Sequence, residues 1–362
     1  MQGAVRAISE FLRDKMTWQR AGMVIGVSIT AIALFVLYEL LRSIDPGEVF
    51  KAIRATKPAN VLLAGLFVAA GYVTLTCYDY FALRTIGRRE VPYRIAAIAG
   101  FTSYSIGHNV GFTVFSGGTV RYRIYSTTAG LSAVEVAKIC FIAGLTFWLG
   151  NITVLGLGFI IHPEAASAVD QLPSYLNRII GFGLLAWLAA YVIWVSLKPR
   201  RFGRGNWSVT LPSGNLTLIQ VLIGVVDLTC CAAAMYVLMP ENPPIDFISL
   251  SVIFITATLL GFASHTPGGI GVFDATMLIA LSQFNKEGLV GALLLFRLLY
   301  YIIPLAISLA IVAYRELVLD IKPLIASERS ARARRKNRNG PPKSAETSPR
   351  RRQRRRSPSA AT

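Results

Sequence analysis

One arginine sits where an apolar run should carry no charge. In ALLLFRLLYYIIPLA, Arg297 lies about nine residues into the stretch 288–314. At ~1.5 Å per residue that is ~13–14 Å into a hydrocarbon layer ~30 Å thick. A guanidinium at that depth costs roughly 2.5–3.5 kcal/mol on insertion scales, so it must face an anion in a cavity or a structural counter-ion. Two acids in apolar surroundings are available as counter-ions: Asp227 in VLIGVVDLTCC and Asp274 in GVFDATML. Either of them pairs with Arg297, carries a coupling proton or packs as a neutral acid.

A second group of residues interrupts an otherwise lipid-like run. GHNVGFTVFSGGTVRYRIYS, residues 107–126, holds His108, Asn109, Gly117, Gly118, Arg121 and Arg123. Glycines let backbone N–H groups turn toward a ligand. Helix N-termini and guanidinium groups bind phosphate through aligned dipoles and bidentate hydrogen bonds. The plainer reading has Arg121 and Arg123 snorkelling to lipid phosphates. HTPGGIG, residues 265–271, offers a counterpart in which Pro267, Gly268 and Gly269 break the backbone before a short helix. His108 and His265 occupy corresponding positions, each followed three residues later by glycine. They are hydrogen-bond donors, proton carriers or satisfied core histidines. Without a third ligand at recognisable spacing they make no metal site. The chain has no Walker loop, nucleophile elbow or zinc motif, and no cofactor is expected. Asp79 in CYDYF reads as the cytosolic end of its span, and Ser132 with Glu135 as a capping box opening the next helix. Cys77, Cys140, Cys230 and Cys231 lie in apolar segments without CxxC spacing and read as packing residues.

The elements that must position these groups are membrane helices. The chain is 54% hydrophobic and 15% charged, where soluble domains carry about 25%. Apolar stretches at 21–41, 59–83, 138–161, 178–197, 216–239 and 288–314 are each long enough to span a bilayer. Two more, 95–118 and 248–284, are interrupted by Gly, Pro and His. The first span reads as an uncleaved anchor.

Loop charge orients the chain. Lys198, Arg200, Arg201 and Arg204 place 198–215 in the cytosol, while 162–177 and 240–247 carry acids and no Lys or Arg. From a cytosolic N-terminus these loops agree only if each interrupted stretch dips part way in and returns. The basic loop 42–58, with Arg42, Lys51, Arg54 and Lys57, then lies outside against the rule, unless it forms an interfacial helix. The dips turn 59–161 and 216–314 into inverted copies, the pattern that points to a transport site near the midplane. Residues 322–362 hold fourteen Lys/Arg against Glu328 and Glu346. They read as a disordered cytosolic tail that touches anionic lipid, with no nucleic acid expected.

SGGTVRYRIYSTTAGLS and SHTPGGIGVFDATML resemble the paired signatures of the flippase-like membrane domain of bacterial lysylphosphatidylglycerol synthases, the multiple peptide resistance factors. The likeness covers about 21–315, and Arg297 after the second signature fits the same pattern. The acid in GVFDA is Asp274 where glutamate is expected, which keeps the charge and shortens its reach. The resemblance implies lipid movement between leaflets without the synthetase domain that makes the aminoacyl lipid. Members proposed to transfer sugars on lipid carriers leave a membrane enzyme as an alternative, and an accessory scaffold is a third.

The expectation is therefore an all-α polytopic protein of the bacterial inner membrane with both termini cytosolic. It has about six spans plus two re-entrant, Gly/Pro-broken hairpins in an inverted repeat. Residues 1–20 form a cytosolic segment, 21–321 the flippase-like domain and 322–362 the tail. The substrate is an anionic or aminoacylated phospholipid. Its site is drawn from Arg297, Arg121, Arg123, Gly117, Gly118, His108, Asn109, His265, Gly268 and Gly269. Asp227 and Asp274 serve as coupling or ion-pair acids.

Overall fold

The computed structural model describes residues 46–315 except Phe112 and Asn206. The expected first span, N-terminal segment and basic tail lie outside the described residues. The chain divides into two compact units, Met1–Val312 and Ala313–Thr362, and every candidate site residue belongs to the first.

Five helices are long and apolar enough to cross a membrane: α2 (Pro58–Thr85), α5 (Ala133–Ile161), α7 (Ser174–Leu197), α8 (Gly214–Leu238) and the run Lys286–Arg315. They match the expected spans to within five residues at either end. Their apolar residues form no single stripe, because lipid rather than water faces their outer sides. On α7, for example, Ile179, Phe182, Trp187 and Ile193 are all exposed. Small residues set the closest crossings. A Cβ on Gly150 of α5 would stand 2.6 Å from the carbonyl carbon of Gly224 on α8, so these backbones touch directly. The Ser132–Glu135 capping box opens α5.

The two interrupted stretches are broken helices. The first comprises α3 (Tyr93–Val110) and α4 (Thr113–Ala129). The break falls at Gly111, whose φ of 80° and ψ of 178° suit only glycine. The second comprises α9 (Phe247–Ala263), a tight turn at Pro267–Gly269 and α10 (Val272–Ala280). His265 and Gly268 both adopt positive φ there. The two breaks meet. A Cβ on Gly111 would lie 2.9 Å from the carbonyl oxygen of His265 and 3.3 Å from the nitrogen of Pro267.

Contacts sort the loops into two ends. At one end, α1 (Pro46–Ala55) packs Ala52 and Ile53 against Gly291 of α11 (Lys286–Arg297). Lys57 pairs with Glu241 at 2.6 Å, His162 lies 3.6 Å from Asp246, and Gly288 abuts Pro240. Glu241 holds the Lys57 ammonium above its usual range, and Lys57 holds the Glu241 carboxyl below its own. At the other end lies a hairpin of β1 (Arg201–Arg204) and β2 (Trp207–Thr210). Val209 joins Leu83, Val91, Leu131 and Val136 in one apolar cluster there, and Phe202 stacks on Phe141. Helix α2 runs between the ends, ~42 Å at 1.5 Å per residue. Val91 before α3 and Leu131 after α4 both belong to the cluster at the hairpin end, and Asp246 before α9 lies at the α1 end.

Helix α11 (Lys286–Arg297) passes into a π turn, Leu298–Ile302. Pro304 has no N–H to offer the carbonyl of Tyr300. The Tyr72 hydroxyl donates to that carbonyl instead, at 3.0 Å, and Asn109 Nδ2 donates to the carbonyl of Tyr301 at 3.1 Å. Both carbonyls thus accept from neighbouring helices, as apolar surroundings require.

Candidate functional site

Arg297 closes a bidentate pair with Asp274. Its Nε donates to Oδ1 at 2.9 Å and its Nη2 to Oδ2 at 2.6 Å, while Nη1 donates to the carbonyl of Gly268 at 3.1 Å. Of the two acids open to it from the sequence, Asp274 is therefore the partner. Asp274 also accepts from the backbone N–H of Gly271, at 3.1 Å, which starts α10. The rings of Phe273 and Tyr301 flank the guanidinium at 5.7 and 5.6 Å. One side chain thus fastens α10 and the second break to α11.

A matching pair fastens the first broken helix. Arg121 Nε and Nη2 donate to Asp79 Oδ2 and Oδ1 at 2.9 and 2.8 Å, and Tyr125 adds its hydroxyl at 2.8 Å. The Tyr104 ring covers the guanidinium at 5.0 Å. Arg121 is 5% exposed and Asp79 0%. This corrects two expectations. Asp79 does not mark an end of its span; it lies six residues inside α2 and is the counter-ion of Arg121. Arg121 does not reach out to lipid phosphates; it is buried and clamped to Asp79, tying α4 to α2. A charge there is tolerated because the partner is bidentate and further hydrogen bonds satisfy the remaining lone pairs.

Gly117 and Gly118 need a correction too. Both lie inside α4, so their N–H groups belong to the helix ladder and do not turn toward a ligand. Gly117 serves packing, since a Cβ there would lie 2.8 Å from the carbonyl oxygen of Ser103 on α3. The backbone break falls earlier, at Gly111. Gly269 likewise donates its N–H to Thr266, and the Gly268 carbonyl accepts from Arg297.

The remaining candidates gather around the junction of the two breaks or lie beside it. His108 is stacked among Tyr104, Phe262 and Tyr300, and its Nδ1 is buried with no hydrogen-bond partner. His265 is exposed on the other break, its Nδ1 2.8 Å from the carbonyl of Ala263. The two histidines share a place in the pattern but not an environment. Asn109 links α3 to the π turn. Arg123 is exposed on α4. Asp227, mid-way along α8, meets the Tyr78 hydroxyl at 3.0 Å and Thr74 Oγ1 at 3.2 Å, both from α2. Among the described residues no group of three His, Cys, Asp or Glu could hold a metal ion.

Chemically, the arrangement is two guanidinium–carboxylate pairs, Arg121–Asp79 buried and Arg297–Asp274 partly buried, one on each broken helix, with a lone acid on the helix packed beside them. An apolar cleft of about 210 Å³ opens between α5, α8 and α9, lined by Leu157, Val225, Leu228 and Ile255 among others.

Comparison with known proteins places these features in context. Residues 23–308 match the family model described as the lysylphosphatidylglycerol synthase TM region. The chain is 32% identical over 246 residues to an uncharacterized protein of Synechocystis sp., covering 67% of this chain and 76% of that one. It is 30% identical over 313 residues to the inner membrane protein YbhN of Escherichia coli, covering 84% and 93%. It is 25% identical over 293 residues to a phosphatidylglycerol lysyltransferase of Staphylococcus aureus. That match takes in 79% of this chain and 33% of the other.

Proposed function

The chain belongs to the family of lysylphosphatidylglycerol synthase TM regions and is a multi-pass bacterial inner-membrane protein, and from that premise we propose that it moves an anionic or aminoacylated phospholipid between leaflets. The pairs α3–α4 and α9–α10 are re-entrant elbows that enter the bilayer from opposite faces, within inverted repeats α2–α5 and α8–α11. Residues 21–321 form the membrane domain. Both termini are cytosolic, and the basic tail 322–362 rests on anionic headgroups.

The observation that carries this reading is the junction of the two breaks, Gly111 against His265 and Pro267, with the Arg297–Asp274 pair directly behind it. Irregular backbone persists at membrane depth only where protein or a water-filled cavity covers it. A headgroup crossing the bilayer needs such a place. Asp274 is the resting counter-anion of Arg297, and a lipid phosphate takes its place when the junction opens; the guanidinium stays paired, and the displaced Asp274 carboxylate takes up a proton while keeping the Gly271 N–H. Arg123, exposed on α4, draws headgroups to the elbow. Arg121 stays with Asp79 and holds the elbow in place. The apolar cleft between α5, α8 and α9 takes an acyl tail. A rocking of one repeat against the other completes the cycle. The acids that an enzyme reading requires, Asp79 and Asp274, are both engaged in bidentate pairs, which favours transport.

The test is leaflet exchange of a fluorescent anionic phospholipid in proteoliposomes. The double variant Asp274→Asn/Arg297→Gln removes the pair without leaving a lone buried charge. It is expected to fold, by thermal melt and gel filtration, and to exchange lipid no faster than empty vesicles. Wild-type rates in the folded variant would remove Arg297 from the mechanism.

A further inference from the structure

Three buried carboxylates lie on the described helices, and hydrogen-bond accounting separates them. Asp79 accepts two guanidinium N–H groups and a tyrosine hydroxyl. Asp274 accepts two guanidinium N–H groups and a backbone N–H. Both are fully supplied with donors, as ionised carboxylates should be. Asp227 is not. It is 4% exposed, and among the described residues no Lys, Arg or His pairs with it. Its neighbours are hydroxyls: Tyr78 at 3.0 Å from Oδ2 and Thr74 at 3.2 Å from Oδ1.

The Thr74 hydroxyl has one proton and two acceptors in reach. The carbonyl of Gly71 stands at 2.6 Å, against 3.2 Å for Asp227 Oδ1. The shorter contact takes the proton. Thr74 Oγ1 then faces Asp227 Oδ1 oxygen to oxygen, which is attractive only if Oδ1 carries a hydrogen of its own. With that hydrogen a directed chain forms: Oδ1–H donates to Thr74, Thr74 donates to Gly71, and Tyr78 donates to Oδ2. Without it, a full negative charge sits in a membrane helix with no counter-ion, an arrangement that buried sites avoid.

We infer that Asp227 is a proton-binding site at the α2–α8 contact, holding its proton on Oδ1 in this conformation and releasing it when α2 and α8 part. The titratable groups around it are Tyr72 and Tyr78 of α2, Tyr104 of α3, Cys230 and Cys231 of α8, and Tyr300 of the π turn. None can supply a positive charge, so the proton is the only cation on the acid. A helix contact that tightens with a proton and loosens without one is a means of coupling motion to proton movement. The site stands whether or not a lipid is what the protein carries.

Infrared spectroscopy of the purified full chain in lipid nanodiscs reads the proton directly. The wild-type protein at neutral pH should show the C=O stretch of a protonated carboxyl, shifted in D2O and absent from Asp227→Asn. Thr74→Val removes the acceptor without touching the acid, so it should move that band to higher frequency and leave its intensity. A wild-type spectrum with no protonated-carboxyl band overturns the assignment, as does a band that neither variant alters. The readout is the proton rather than transport, so a failed exchange assay leaves this result standing and the converse also holds.

Discussion

At the scale of single residues, the molecule rests on two Arg–Asp clamps of unequal visibility. Arg297 is conspicuous because no other charged residue lies between Glu287 and Arg315, and its partner had two candidates in the sequence. Asp79 and Arg121 are not conspicuous. Asp79 is flanked by Tyr78 and Tyr80, a pattern common at the membrane surface, and its partner is 42 residues away on another helix. Only the fold brings them together. The Gly117–Gly118 pair misleads in the other direction. Adjacent glycines read as a broken backbone, but here Gly117 allows α3 and α4 to pack closely, and sequence alone does not separate the two uses. The buried clamp has a measurable signature. Asp79→Asn strands the Arg121 guanidinium and should cost about 3–5 kcal/mol. Asp79→Asn/Arg121→Met should cost clearly less than the sum of the single changes. Denaturant unfolding in detergent micelles measures both, and simple additivity would show that the pair is not coupled.

At the scale of elements, the helices were legible and their junctions were not. Long apolar runs specify spanning helices with little ambiguity, which is why the described spans agree with expectation closely. The loop 42–58, basic where the charge rule forbids it, contains a helix at Pro46–Ala55 that buries Val49. Its charge is partly met by Glu48 and Glu241. A surface pair of this kind acts between the usual carboxylate and ammonium ranges. The depressed Glu241 loses its share as pH falls, and the raised Lys57 loses its share as pH rises through its own value. The sequence pattern has two hairpins meeting near the midplane, but not which residues touch, because Gly111, His265 and Pro267 belong to breaks far apart in the chain. Gly111 is its weakest point for substitution. Gly111→Ala puts a methyl 2.9 Å from the carbonyl of His265 on a backbone only glycine adopts, and should cost about 1–3 kcal/mol. Gly130→Ala also has positive φ but meets open space, so its melting temperature should fall less. Equal losses would mean that the elbows do not press on one another.

At the scale of the whole molecule, the account depends on sidedness. Composition and loop charge led to two dips entering from opposite faces. The proposed translocation requires that sidedness, together with the contact between the two breaks at Gly111, His265 and Pro267. The lipid carried lies in the chemistry of an opened junction and is not written in the residues of the closed one. The most direct measurement is impermeant thiol labelling of intact cells in a background where Cys77, Cys140, Cys230 and Cys231 are replaced. Single cysteines at Glu90 and Thr128 bracket the first elbow, and at Glu241 and Gln283 the second; all four positions are exposed. Positions 241 and 283 should label from outside, and 90 and 128 only after permeabilisation. If 90 and 128, or 241 and 283, label from opposite faces, that broken helix crosses the membrane and the translocation pathway drawn here does not exist.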